Sequence, residues 1–246
     1  MANRIHSTAL LEPGVEVGDG NIIEEHAIIR SGVRIGDGNR IGPFSLIEHR
    51  VELGDGNTLH GYASIGTPGE MGSKGDQIAE TGAVSIGNEN VIREFVTVNF
   101  PVRRTLTAIG NNCYLMARTH IPHDARLGDS VVMATNSLIG GGCSLENHVY
   151  VGLNAHVHQW VVIGEGAMLG MSSATVKSVP PFCTVAGVPS RFLKINREGL
   201  RRRGIPDEEI DRLEAYVLGS GGDATDRLIK IYANFIQENE RCLEPA

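Results

Sequence analysis

The chain has 246 residues, room for one large domain or one domain with a small appendage. Glycine is abundant at 31 residues, and aromatics are scarce at 5%. That balance suits a repetitive fold with tight corners. The formal net charge of −7 argues against bulk attraction to nucleic acid or to an anionic membrane. The segment from Met1 to Leu11 has no long apolar core, and nowhere do about 18 apolar residues run together. A soluble, cytoplasmic protein without integral membrane contact is expected. Cys113, Cys143, Cys183 and Cys242 are widely spaced, form no CxxC pair, and read as reduced thiols.

From Ile5, every sixth residue is a large aliphatic: Ile5, Leu11, Val17, Ile23, Ile29, Ile35, Ile41, Ile47, Leu53, Leu59 and Ile65. The phase slips and a short run follows at Ile86, Ile92 and Val98. After a second slip the series resumes at Ile109 and runs through Leu115, Ile121, Leu127, Met133, Ile139, Leu145, Val151, Val157 and Ile163 to Leu169. A helix would repeat every 3.6 residues and a simple strand every two. A period of six means one short strand and one corner per hexapeptide, and three hexapeptides make a triangular coil of 18 residues. Stacked coils form a prism with three parallel sheets, an all-β solenoid whose stability is quasi-one-dimensional.

Two segments leave the pattern. Residues 67–83 carry Pro68, Gly69, Gly72, Gly75 and several charges, and residues 99–107 carry Pro101, Arg103 and Arg104. Both are expected to protrude as loops, on the face where a solenoid places its binding site. The β-helix is expected over 1–187 and an α-helical C-terminal subdomain over 188–246. Asn196 would cap a short helix reaching Arg203, closed by Gly204. Pro206 would open a helix from Asp207 to Leu218. Asp223 or Thr225 would start a last one, with Leu228, Ile231, Tyr232 and Phe235 on one face.

The segment Arg118-Thr-His-Ile-Pro-His-Asp124 sets His120, His123 and Asp124 around one inward residue, Ile121. A second cluster, His156-Val-His-Gln-Trp160, surrounds Val157. Residues 18 apart stack, so His123 is expected beside Gly141 with Gln159 one coil on, and Asp124 beside Gly142 and then Trp160. Gly140-Gly141-Gly142 would leave a bare strip where a ligand could reach backbone N–H groups. An imidazole next to a carboxylate and an open N–H are the components of acyl transfer: a base, its orienting partner and an oxyanion donor. The same residues also admit two other readings, a polar ladder on an exposed sheet or a zinc site built from His120, His123, Asp124, His156 and His158. The preferred reading has no metal. Arg191, Lys194, Arg197, Arg201, Arg202 and Arg203 form a basic run against the single acid Glu198, which suits a diphosphate or an acidic carrier protein.

With these residues in view, the chain resembles the UDP-N-acetylglucosamine O-acyltransferases that begin lipid A synthesis. The matching stretches are Ile92-Arg-Glu-Phe-Val-Thr97, His120-Ile-Pro-His-Asp124, Val157-His-Gln-Trp160, Val179-Pro-Pro-Phe182 and Asn196-Arg-Glu-Gly-Leu-Arg-Arg-Arg-Gly204. The resemblance implies a left-handed prism and a homotrimer with sites between neighbouring prisms. It implies a donor acyl chain carried as a phosphopantetheine thioester on acyl carrier protein, a UDP-sugar acceptor, and no separate cofactor. It makes His123 the general base, Asp124 its partner and the Gly141 N–H the oxyanion donor. His120, His158 and Gln159 become substrate or pantetheine contacts, and Asn196, Glu198, Arg202 and Arg203 contacts to the nucleotide and diphosphate. Lys74 falls in the sugar-binding loop, and Ala174 where acyl-chain length is limited. The chain departs from the family at Gly142, where a histidine is usual, at Asn99-Phe100-Pro101 in place of His-Arg-Gly, in the first loop, and at Val188-Pro189 in place of Asn-His. Within the same base chemistry, a sugar O- or N-acetyltransferase using acetyl-CoA, or an acyltransferase outside lipid A synthesis with an altered acceptor, is the alternative enzyme. A metal-binding hexapeptide protein like the γ-class carbonic anhydrases is a further alternative.

Overall fold

The computed structural model describes residues 2–70, 76–77, 81–221, 223, 225–239 and 242–243. The chain forms a left-handed parallel β-helix. Among the described residues the three sheets of the prism have eleven, nine and eight strands, most of them two residues long. Each strand of the repeat pairs in parallel with its equivalent one coil away, as in Ile5 with Ile23 and Leu11 with Ile29. The usual separation is 18 residues. It widens to 33 across the first insertion and to 23 across the second, after which the register is restored. The excursions therefore leave and re-enter the prism without breaking the stack.

The sixth-residue aliphatics fill the interior: Ile23, Ile41, Leu59, Ile92 and Leu115 form one buried column. Ile5 is 46% exposed because no coil covers the first. Corners hold a repeating left-handed residue, at φ near +60° even where it is not glycine. In the N-terminal half these corner side chains stack, His26 on Phe44, Phe44 on Tyr62 and Tyr62 on Phe95, with centroids 4.9 to 5.2 Å apart. At another corner Asn21, Asn39, Asn57 and Asn90 are buried in a ladder, each backbone N–H donating to the side-chain oxygen of the asparagine one coil before. The ladder supplies partners for polar groups that would otherwise be orphaned at the turns.

The C-terminal part differs from expectation in two respects. Residues Arg191–Ile195 are a strand, antiparallel to Cys183–Ala186 at the edge of the eleven-stranded sheet. Gly187, at φ +99°, lets the chain reverse there. Helical structure thus begins only at α1 (Arg197–Arg202), followed by α2 (Asp207–Val217) and α3 (Arg227–Glu238). Asn196 caps α1 as expected, its side chain accepting from Gly199 N. Asp226 caps α3, in place of Asp223 or Thr225, and Ile229 joins Leu228, Tyr232 and Phe235 on the fully buried face while Ile231 is only partly buried. The tail is tied to the last coils by Asn196 Nδ2 donating to the Gly166 carbonyl at 2.9 Å and by an Arg203–Glu165 ion pair.

The second insertion is not a free protrusion. Asn99 and Leu106 belong to prism strands, Phe100 is buried beneath Arg50, and residues 102–104 fold back onto Asp124. Of the first insertion, Gly69–Glu70 pairs antiparallel with Asp76–Gln77. Among the described residues no helix is long and apolar enough to cross a membrane.

Candidate active site

The site is built at the corner between the strands His120–Ile121 and Arg126–Leu127. Ile121 is fully buried and anchors the segment, while His120 before it is only partly covered. Pro122 leads into the corner, and Asp124 adopts the left-handed conformation at φ +65°. His123 Nδ1 lies 2.8 Å from Asp124 Oδ2.

Asp124 is fully buried, and its environment explains how an ionised group persists there. Its carboxylate accepts from three consecutive backbone N–H groups of the second insertion: Val102 at 3.0 Å, Arg103 at 3.1 Å and Arg104 at 2.7 Å. Its own N–H donates to Thr107 Oγ1 at 2.9 Å. Burial pushes the carboxyl upward, but the bonds to His123 and to the three N–H groups outweigh it and hold the pKa below the ordinary value. A permanent anion on Nδ1 leaves the other ring nitrogen, Nε2, as the site that takes up a proton.

The position of that nitrogen is set by two glycines. A Cβ on Gly141 would lie 2.6 Å from His123 Cε1 and 2.7 Å from Nε2. A Cβ on Gly69 would lie 2.9 Å from His123 Cβ. The ring is therefore held between two bare stretches of backbone, as the 18-residue spacing predicted for Gly141. Among the described residues the Gly141 N–H donates to no backbone acceptor, whereas Gly142 N donates to the His123 carbonyl at 3.0 Å. Gly141→Ala is expected to keep the fold but force the imidazole aside, and a misplacement of that size costs on the order of 10²-fold in activity. Steady-state rates beside a thermal melt will check it, with a large fall in kcat and little change in melting temperature expected.

A cleft of about 380 Å³ opens over this corner, lined by His120, His123, Gly141, His158, Gln159 and Glu70 among others. Three of the sequence-predicted contacts, His120, His158 and Gln159, thus meet His123 and Gly141 in one space. His120 Nδ1 lies 2.7 Å from Thr97 Oγ1. Burial, with help from nearby His123 and against the pull of Glu70, keeps the His120 pKa below the usual histidine value, so the ring is neutral at pH 7. The outward residues His120, Leu138, His156 and Ala174 pair in successive strands of the nine-stranded sheet. Ala174 is therefore three strand spacings, about 14 Å, from His120 along one column.

The basic run is placed differently from expectation. Arg197 pairs with Asp211 and Glu214, Arg201 with Asp207, Arg202 with Glu198, and Arg203 with Glu165. Apart from Glu198, the acids that neutralise it lie in α2 and the prism, so a local charge count missed them. Asn196 and Glu198 line a second cleft with Lys194, Arg197 and Arg201, on the side of Met168 and Thr184 in the eleven-stranded sheet. Arg202 and Arg203 do not line it. Lys74 lies outside the described residues. Among the described residues, no three His, Cys, Asp or Glu side chains are grouped to hold a metal ion. What sequence reasoning missed is the cradle of N–H groups at 102–104, Thr107 and Gly69, because backbone donors and the close approach of two loops leave no residue-type signal.

A hexapeptide prism carrying a His–Asp pair over an open glycine strip is the architecture of a hexapeptide-repeat acyltransferase. Residues 32–67 match the bacterial transferase hexapeptide model, and residues 179–242 match the model for domain 2 of UDP-N-acetylglucosamine O-acyltransferase. An acyl-(acyl-carrier-protein)–UDP-N-acetylglucosamine O-acyltransferase from Burkholderia thailandensis is 41% identical over 97% of this chain and 98% of its own length. The one from Campylobacter concisus is 31% identical over 96% and 90%. The match to the enzyme from Herminiimonas arsenicoxydans, 41% identical, spans about half of each chain. The solved UDP-N-acetylglucosamine acyltransferase from Campylobacter jejuni superposes with a TM-score of 0.91 at 30% identity, covering 99% of this chain and all of that one. The chain belongs to the acyl-(acyl-carrier-protein)–UDP-N-acetylglucosamine O-acyltransferase family.

Proposed function

We propose that this acyltransferase moves an acyl chain, in the family's pattern a 3-hydroxyacyl chain, from acyl carrier protein to the 3-position of UDP-N-acetylglucosamine or a related UDP-amino sugar. The observation that carries the reading is His123 held by Asp124 at 2.8 Å with its ring over Gly141. His123 Nε2 removes the proton from the sugar hydroxyl as the oxygen attacks the thioester carbonyl carbon. The Gly141 N–H donates to the oxyanion that forms. The C–S bond then breaks, and the imidazolium returns its proton to the departing thiolate of the phosphopantetheine arm. Atoms and charges balance without a covalent acyl-enzyme and without a separate cofactor.

His120, His158 and Gln159 line the same cleft and are assigned to the sugar and pantetheine arm. The column from His120 through Leu138 and His156 to Ala174 offers the acyl chain a path along the sheet. Asn196, Glu198, Arg202 and Arg203 are assigned to the nucleotide and diphosphate, and Lys74 to the sugar. Within one chain the clefts at His123 and at Asn196 share no lining residue and flank different sheets. A homotrimer, in which a neighbouring copy brings its tail to this chain's dyad, is the arrangement that unites them. The buried thiols Cys113, Cys143 and Cys183 suit a reducing compartment, in keeping with a cytoplasmic reaction.

The test is a product assay with the purified protein. Incubation with UDP-N-acetylglucosamine and a panel of acyl-carrier-protein thioesters is expected to give an acylated UDP-sugar by mass spectrometry, and acetyl-CoA is expected to give none. Transfer from acetyl-CoA with none from the carrier protein would overturn the donor assignment.

A further inference from the structure

The corner that carries Asp124 continues as a column of left-handed residues, Asp124, Gly142 and Trp160, at φ +65°, +72° and +62°. Backbone bonds stitch it together: Gly142 N donates to the His123 carbonyl and Trp160 N to the Gly141 carbonyl, both at 3.0 Å. The middle rung has no side chain, and the indole takes its place. A Cβ on Gly142 would lie 2.4 Å from Trp160 Cε3 and 2.7 Å from Cδ2. The ring thus leans back along the column towards Asp124, although Trp160 is 43% exposed. There it meets the second insertion: the guanidinium carbons of Arg104 and Arg103 stand 5.2 and 5.9 Å from an indole centroid. A cation at that range is attracted by the ring quadrupole.

Arg104 joins this contact to the dyad. Its backbone N–H makes the shortest of the loop's bonds to the carboxylate, 2.7 Å to Asp124 Oδ1. Its Nη1 donates to the Asp124 carbonyl at 3.0 Å. One residue therefore touches the indole with its side chain and the dyad's anion with its backbone.

We propose that Trp160 is a positioning residue for the His123–Asp124 pair. Its indole, seated in the space that Gly142 leaves, clamps Arg104 and so keeps the N–H groups of residues 102–104 on the Asp124 carboxylate. The proposal rests on the dyad being the base of acyl transfer. Trp160 itself touches no reacting atom. Without the clamp the loop's donors exchange with water, the carboxylate loses its fixed bearing, and the imidazole samples orientations in which Nε2 no longer meets the acceptor hydroxyl. Catalysis depends steeply on that bearing.

The experiment compares Trp160→Ala, Trp160→Phe, Arg104→Ala and the double variant Trp160→Ala/Arg104→Ala in the acyl-transfer assay, with His123→Ala as reference. Trp160→Ala is expected to lower kcat roughly tenfold, about 1.4 kcal/mol, with KM within about twofold because the bound substrate's contacts are untouched. Trp160→Phe should recover most of the loss, since phenyl also presents a ring face to a cation. The double variant should be little worse than Arg104→Ala, because both substitutions cut one chain of contacts. A physical readout independent of turnover is limited trypsin cleavage after Arg103 or Arg104, which should quicken in the folded Trp160→Ala protein. Unchanged kcat in Trp160→Ala, a rise in KM instead of a fall in kcat, additive losses in the double variant, or unchanged cleavage would each overturn the proposal. If His123→Ala loses activity in the same assay, such a failure falls on Trp160 alone, whereas an active His123→Ala would overturn the reading of the dyad itself.

Discussion

Replacing His123 with alanine is expected to lower kcat for acyl transfer by about 10²- to 10⁴-fold, the range a positioned general base contributes. The side chain is 12% exposed and lies against the open faces of Gly69 and Gly141. Its removal leaves a shallow gap beside backbone rather than a cavity in the core, so the fold should persist. Added imidazole should restore part of the rate, because a small base can reach the acceptor hydroxyl through the vacated space. The check is kcat and KM with and without imidazole, beside circular dichroism of the variant. A rate within threefold of wild type would remove His123 from the mechanism. Nearly full loss with an intact spectrum would place the proton transfer there.

Asp124→Asn is expected to have an effect nearly as large on activity and a larger one on stability. The carboxylate accepts from His123 and from three backbone N–H groups at once. A neutral amide has one acceptor oxygen and turns an NH₂ towards donors, either towards the loop or towards His123 Nδ1. In the second case the imidazole tautomer reverses, and Nε2 carries a proton where a base is needed, so kcat should fall on the order of 10²- to 10⁴-fold. Leaving buried donors unpaired is expected to destabilise the fold by about 3–5 kcal/mol. The pH dependence follows from the direction of the shift. The folded-state pKa of Asp124 lies below its ordinary value, so the carboxylate contributes stability in full above the unfolded pKa, near 4. That contribution is lost as pH falls through the lower, folded pKa. Urea melts from pH 7 down to pH 3 should show the gap between wild type and Asp124→Asn wide at neutral pH and closing below about pH 4. A gap that stays constant across that range would mean that the charge of Asp124 is not what the loop N–H groups bind.

Two positions at which the family resemblance implies other residues are filled by contacts near the site. At position 142 this chain has glycine, and the space above that glycine is filled by Trp160 from the next coil. At 99–101 it has Asn-Phe-Pro, and Phe100 is buried under Arg50 where it roots the loop that holds Asp124. In the basic run, Arg197 and Arg203 are turned to acids in α2 and in the prism, so their first role is to fasten the tail.

The period of six by itself determined the prism, its inward columns and the pairing of His123 with Gly141. In a solenoid, neighbours in space are neighbours at a constant offset in sequence, and a ruler of 18 residues recovers them. The same ruler placed Gln159 over the site and Asp124 beside Gly142. It failed wherever contacts depend on chain that leaves the period. The three N–H donors of Val102, Arg103 and Arg104 are backbone groups, invisible to residue type, and the insertion that carries them obeys no repeat. The strand Arg191–Ile195 arose because an unpaired sheet edge beside Cys183–Ala186 was available, which local propensity does not register. Only the tertiary structure decided which arginines are neutralised within the chain, since ion pairs of the tail join residues brought together by packing of α1 on α2 and on the last coils. Above all it decided that Asp124 is held from above by a loop, the contact by which a buried carboxylate stays charged and aims the histidine.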